Sequence, residues 1–267
     1  MTSIIEHLRA DLNLPMPSPA DHHPNPAAQV VSLRGVIALL GRFPALAGLD
    51  LLVERSEILV VRGPNGAGKT TLLKVLAGLV SVTDGSATVL GVDLRRDRRT
   101  ARRAVGLLGH QGFLYDDLTV AENVAFAVEA AGGDPGRVAP AMARLGLDGR
   151  LRDLRVGACS AGQRRRTSFA GLVARNPALW LLDEPHAGLD SDARNLLDDL
   201  VREAAAGGTT ILLASHDEER AEALATRIVT VSGGHITADR RTHQPRPNEP
   251  HLPDPNLNDP RPNGADA

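Results

Sequence analysis

The sequence predicts an α/β fold built on a mostly parallel sheet, and three observations predict it. Three short apolar runs, at 58–61, 179–182 and 210–214, read as strands buried on both faces. Each run ends in residues able to do chemistry: the glycine-rich turn at 63–71, the pair Asp183 and Glu184, and His216. The stretches between them carry mostly helical patterning. In an open parallel sheet ligands bind beyond the carboxyl ends of the strands, so these three endings are expected to converge on one site.

The first run feeds GPNGAGKTT, comprising Gly63, Pro64, Asn65, Gly66, Ala67, Gly68, Lys69, Thr70 and Thr71, and an apolar-rich stretch follows at 72–79. A strand, a glycine-rich turn and a helix start in this order form a P-loop. Backbone N–H groups of the turn can wrap phosphates, Lys69 can reach the β- and γ-phosphates, and Thr70 can ligate Mg²⁺. Lys69 and Lys74 are the only lysines among 30 basic residues, so the lysine here is no product of composition. By itself the motif identifies a nucleotide-binding fold and little more.

The chain of 267 residues has room for one large α/β domain with an insert, or for two small domains. Its net charge of -2 gives no electrostatic case for nucleic-acid binding. The arginine clusters at 95–103 and 164–166 read as solvated helix faces. A lone Cys159 excludes an internal disulfide and fits a reducing compartment. No apolar stretch is long enough to span a bilayer, and no basic-then-apolar leader opens the sequence. The chain is thus expected to be soluble or held to a membrane by a partner.

Proline concentrates at both ends, with Pro15, Pro17, Pro19, Pro24 and Pro26 near the start and seven more between positions 245 and 262. Residues 1–29 and 239–267 are therefore expected to be disordered, with 30–238 as the folded part. His22, His23, His243 and His251 lie in these tails, as solvated residues or metal ligands. Residues 113–160 read as an inserted helical subdomain, with a capping box at Thr119 and Glu122. Residues 227–236 read as two short strands joined by Gly233 and Gly234.

Further residues extend the P-loop into a constellation. The run at 107–111 delivers Gln111 to a loop. In CSAGQ, at 159–163, Ser160 and Gln163 have the spacing of a capping box, with Gly162 allowing close approach, so this helix start is a second anion-binding device or an ordinary helix start. Asp183 suits Mg²⁺, and Glu184 suits a general base polarising an attacking water. Cys159 is expected to have a somewhat lowered pKa at a helix start, but no paired histidine makes it a nucleophile.

The ordered series GPNGAGKTT, Gln111, CSAGQ, LLDEP, AGLD and SHD resembles the nucleotide-binding domain of ATP-binding cassette proteins over residues 30–238. The resemblance implies a P-loop NTPase core with an antiparallel β-subdomain and an inserted helical subdomain. It implies ATP and Mg²⁺ as ligands, with Thr70, Gln111 and Asp183 at the metal, Glu184 activating water and His216 holding the γ-phosphate. It also implies a head-to-tail homodimer in which Ser160, Ala161, Gly162 and Gln163 face the other copy's nucleotide, with Asp190 at the seam. Phe43, the one aromatic upstream of Gly63, stands where relatives stack an aromatic on adenine, although a core role is also open to it. Cys159 and Ala161 replace a usual leucine and glycine. Ala187 replaces a common serine, and His186 a common threonine or serine.

With one cassette and no span, the chain resembles the ATPase subunit of a multi-subunit transporter, peripheral on the cytoplasmic face beside integral-membrane subunits. The wording SAGQRRR, PALWLLDEP and LGHQGFLYDDLTVAENVAF resembles the ATPase of cytochrome c maturation, a haem-export family. The ATPase of another drug, lipid or polysaccharide exporter is the alternative. Non-transport cassette proteins usually carry two cassettes or a coiled-coil insert, and neither is present. A kinase or GTPase has no reason to contain CSAGQ and His216.

Overall fold

The computed structural model describes residues 29–109 and 112–242. Two sheets organise it. The larger has six strands, β3 (Ile58–Arg62), β6 (Val105–Leu108), β7 (Leu179–Asp183), β8 (Thr210–Ala214), β9 (Arg227–Ser232) and β10 (His235–Arg241), in the order β10-β9-β3-β8-β7-β6. All neighbours are parallel except the β9–β10 hairpin. The three apolar runs thus become three adjacent central strands. Residues of β7 and β8 are buried throughout, and side chains alternate between two cores as the strand period requires. Leu59, Val61, Leu179, Leu181 and Leu212 enter one core, while Ile58, Val60, Trp180, Leu182 and Leu213 enter the other.

The first core is closed by the antiparallel sheet β2-β1-β4-β5, formed by β1 (Gln29–Leu40), β2 (Phe43–Glu54), β4 (Asp84–Val89) and β5 (Val92–Asp93). Between the sheets lies α1 (Lys69–Leu76), whose Leu72, Leu73, Val75 and Leu76 are buried. The sequence pattern did not resolve β1 and β2, because repeated register shifts along their pairing break the simple alternation that marks a strand.

The second core is covered by helices. After α2 (Arg98–Ala104) and β6 come α3 (Val120–Ala130), α4 (Val138–Arg144) and α5 (Ala161–Arg175), then α6 (Ser191–Ala206) and α7 (Glu218–Leu224). Thr119 caps α3 through the expected box: its hydroxyl accepts from the Glu122 N–H, and the Glu122 carboxylate accepts from the Thr119 N–H. Helix α5 ends at Asn176, which takes the left-handed geometry of a helix stop with φ 48°. Its flank packs on α3, where a Cβ on Gly171 would lie 3.3 Å from the Ala127 methyl. Arg166 also donates to the Leu145 carbonyl, 3.2 Å away. The helical layer therefore continues past residue 160 into α5.

The folded boundaries differ slightly from 30–238. Strand β1 starts at Gln29, and β10 runs to Arg241. The extension is polar and was hidden for that reason: Arg227 pairs with Asp239 through two contacts across the hairpin, so charge complementarity replaces apolar patterning. The prolines and histidines of the tails lie outside the described residues.

Candidate functional site

Strand β3 ends at Arg62, and the glycine-rich turn begins against the neighbouring strand β9. Gly63 has φ 143°, and a Cβ there would sit 2.0 Å from the Val231 carbonyl oxygen. Gly68, with φ 110°, would place a Cβ 2.5 Å from the Ala45 oxygen. Both positions demand glycine sterically and conformationally. The turn is held from outside by the β9–β10 hairpin: Gly234 N–H donates to the Ala67 carbonyl at 3.0 Å, and its carbonyl accepts from Ala47 at 3.1 Å.

Helix α1 follows immediately, with Gly68 as its N-cap and no side-chain cap. The first-turn N–H groups lack intrahelical acceptors and supply the positive end of the helix. Lys69 lies back over the turn, its Nζ donating to the carbonyls of Gly63 at 2.7 Å and Pro64 at 3.0 Å. The Thr70 hydroxyl donates to Asp183 Oδ2 at 2.9 Å, joining the P-loop to the end of β7.

The neighbouring residue, Glu184, is a non-glycine residue at φ 49°. Its N–H donates to the Ala214 carbonyl at the end of β8, 2.8 Å away. One carboxylate oxygen accepts from the His216 N–H at 3.1 Å, and the other lies 3.4 Å from His216 Nε2. Adjacent parallel strands thus bring Lys69, Thr70, Asp183, Glu184 and His216 to one sheet edge. Asn65 belongs to the same rim: a cleft there is lined by Gly63, Pro64, Asn65 and His216. Gln111 lies outside the described residues.

Arg165 was missed by reading 164–166 as a solvated face. Its guanidinium is buried and donates to four carbonyls, Gly109 at 2.6 Å just after β6, and Asp183 at 2.9 Å, Glu184 and Pro185 at 3.1 Å at and beyond the end of β7. Burial lowers its pKa, while the charges of Asp183 and Glu184 pull it back up. The sequence held a signal for this. Residues 165, 169 and 172 recur at i, i+4 and i+7, and Phe169 and Leu172 are buried, so the middle arginine must face inward with them.

The CSAGQ segment adopts the capping box its spacing predicts. The Ser160 hydroxyl accepts from Gln163 N–H at 3.2 Å, and Gln163 Oε1 accepts from Ser160 N–H at 2.8 Å. Ser160 and Ala161 are exposed. Among the described residues no hydrogen bond joins 160–163 to 63–71; a Cβ on Gly162 would instead approach the Gly188 carbonyl at 3.3 Å. Asp190 is exposed and caps α6, accepting from Ala193 N–H at 2.8 Å. Cys159 departs from the sequence expectation: desolvation raises its thiol pKa against the smaller opposing pull of Arg164. Phe43 opens β2 with 79% of its surface exposed, so it has no core role.

No group of three or more His, Cys, Asp or Glu side chains among the described residues could hold a metal alone. Thr70 and Asp183 nevertheless offer a hydroxyl and a carboxylate oxygen beside the glycine-rich turn. That sparse, all-oxygen set fits Mg²⁺, which usually takes one or two carboxylates and completes its shell with phosphates and water.

Comparison with known proteins agrees with this geometry. The family profile described as ABC transporter matches residues 46–187. The cytochrome c biogenesis ATP-binding export protein CcmA of Nitrobacter winogradskyi is 38% identical over 186 residues, spanning 70% of this chain and 91% of that protein. The daunorubicin/doxorubicin resistance ATP-binding protein DrrA of Streptomyces peucetius is 34% identical over 80% of this chain and 66% of its own length. Others are matched over less of their length, down to 39% for a putative ABC transporter ATP-binding protein of Streptomyces avermitilis. A solved dimeric ATP-binding cassette bound to ADP and Pi has the same fold, with TM-score 0.73 and 24% identity over 79% of this chain and 98% of that one. The family profile covers more than half of the chain and the Nitrobacter relative matches most of it, so the chain belongs to the ABC transporter family, with the P-loop NTPase fold of its ATP-binding cassettes.

Proposed function

We propose that the chain hydrolyses ATP as the energising subunit of a transporter whose membrane-spanning part is a separate protein. The observation that carries this reading is the convergence of the P-loop, Asp183, Glu184 and His216 at the ends of β3, β7 and β8. Residues 63–71 cradle the phosphates, and Lys69 has a third N–H beyond the two already donated within the turn. Thr70 and Asp183 would hold Mg²⁺, with Gln111 as a further expected ligand, and the ion would supply charge neutralisation at the phosphates. Glu184 accepts the proton of the attacking water, and His216, at its carboxylate, orients the γ-phosphate. Phe43 stacks on adenine.

The second half of the site comes from another copy of the chain. Ser160, Ala161, Gly162 and Gln163 present a helix N-terminus at the surface, and Asp190 stands at the seam, so ATP is clamped between two copies. The exposed aromatics Tyr115 and Phe126, whose rings meet edge-on at 5.1 Å, form a surface patch suited to an apolar membrane subunit, and Phe113, two residues before Tyr115, is also exposed. No helix among the described residues is long and apolar enough to cross a membrane; in this reading the chain itself is peripheral, on the inner face of the membrane beside the spanning subunit.

For cargo, haem export in cytochrome c biogenesis is the finer reading. It is favoured because the chain spans most of its relative of that name, whereas it spans 66% or less of the drug-resistance and putative relatives compared. Export of a drug or another small amphiphile is the second reading, favoured by the resistance ATPase at comparable identity. Glu184→Gln should bind ATP normally and turn over about a hundredfold more slowly, the scale of a lost general base. Lys69→Ala should weaken ATP binding in equilibrium titration. Undiminished turnover in the first and undiminished affinity in the second would refute the site. For cargo, deletion of the gene should abolish covalent haem in c-type cytochromes; normal haem attachment would shift the reading to the other exporters.

A further inference from the structure

His186 follows two residues after Glu184, just beyond the end of β7, and it is 4% exposed. Its Nε2 lies 2.7 Å from Asp198 Oδ1, and Asp198 is itself 5% exposed. The other Asp198 oxygen accepts from Arg220, which also donates to Asn195 Oδ1 at 3.1 Å. A carboxylate accepts, so the proton of the shared bond sits on His186 Nε2. Nδ1 is buried and has no hydrogen-bond partner. The ring is anchored at one end only, toward α6.

The contacts continue into the site already described. Arg220 N–H donates to Asp217 Oδ1 at 3.2 Å, and its Nε lies 3.8 Å from Asp217 Oδ2. Asp217 directly follows His216, whose N–H donates to Glu184. The chain Glu184, His186, Asp198, Arg220, Asp217, His216 thus closes on itself. Arg194 adds a brace, donating to the Leu189 carbonyl at 3.0 Å and lying 4.0 Å from Asp217 Oδ2. Within this ring Glu184 keeps φ 49°, a backbone geometry that a non-glycine residue holds only when its surroundings impose it. Arg165 fixes the carbonyls of Asp183, Glu184 and Pro185, the residue itself and its neighbour on either side. The bond from His186 to α6 fixes the segment that follows.

We propose that His186, acting through Asp198 and Arg220, is a positioning residue that sets the Glu184 carboxylate relative to His216. The inference rests on the ATPase reading above. Stability alone does not call for this arrangement, since buried polar and ionic networks can often be replaced by apolar residues of similar volume without loss. What an apolar replacement cannot supply is a directional link between the strand end at Glu184 and the loop at His216. Breaking the link should impair the chemical step and spare ATP binding, which is carried by the P-loop.

The test compares full-length wild type with His186→Leu, His186→Gln, Arg220→Met and the His186→Leu/Arg220→Met double variant. Readouts are kcat, KM for ATP, equilibrium ATP affinity and thermal midpoint. His186→Leu should lower kcat on the order of tenfold, the scale of a sub-ångström to ångström misplacement, with ATP affinity unchanged. His186→Gln, whose amide nitrogen can reach Asp198, should recover most of that loss. Arg220→Met should repeat the defect, and the double variant should be no worse than either single change, because both cut one chain. Wild-type kcat in His186→Leu overturns the proposal, as does a loss that follows the thermal midpoint and is not rescued by glutamine. If His186→Leu does not fold, Arg220→Met decides, since that side chain is 26% exposed; wild-type kcat there overturns the proposal. Absence of turnover in the wild type, with its membrane partner present, would instead refute the ATPase reading.

Discussion

Phe43 and Arg165 show how differently single residues surrender their roles. Phe43 had two readings in the sequence, a stacking surface or a core side chain, and its 79% exposure removes the second. Stacking of a base on an aromatic is worth about 1–3 kcal/mol, so Phe43→Ala should weaken ATP binding about tenfold in calorimetric titration. Thermal stability should not change, because little of the ring is packed. Arg165 was legible only through helical period, since composition made it one arginine among three. Its two neighbours reach other parts of the helical layer: Arg164 pairs with Asp116 at 2.6 Å, and Arg166 donates to the Leu145 carbonyl. His186 was visible as a departure from pattern. Its meaning was not, because the partner Asp198 is twelve residues away and selected by the packing of α6 against the strand end.

At the level of elements, what was legible was what is local. The boxes at Thr119 with Glu122 and at Ser160 with Gln163 are set by three-residue spacing alone, and both form. Thr119→Ala should cost about 1 kcal/mol of stability, seen as a lower thermal midpoint. ATP affinity should not change, since Thr119 has no contact with the P-loop among the described residues. Strands β3, β7 and β8 were equally plain, because burial on both faces leaves an unbroken apolar run. Strands β1 and β2 were not. Their pairing slips at several points, and a slipped strand loses the period that betrays it. The end of β10 was obscured for the opposite reason, being a charged edge held by Arg227 and Asp239.

For the whole molecule, one copy holds the P-loop and the acids while presenting its Ser160 helix start to the surface. If two copies clamp ATP, Glu184→Gln should shift from monomer to dimer on adding ATP, as read by sedimentation velocity. Ser160→Arg should block that shift while leaving nucleotide affinity of the single copy intact. A monomer under both conditions would count against the clamp. The hairpin that holds the P-loop carries a further consequence. Ala67 is bonded to Gly234, and Gly63 is pressed against Val231, so a loop made early in synthesis is braced by residues made late. During translation these two contacts cannot form until the β9–β10 turn has left the ribosome. The P-loop therefore gains these two bracing contacts only when β9 and β10 dock on the main sheet.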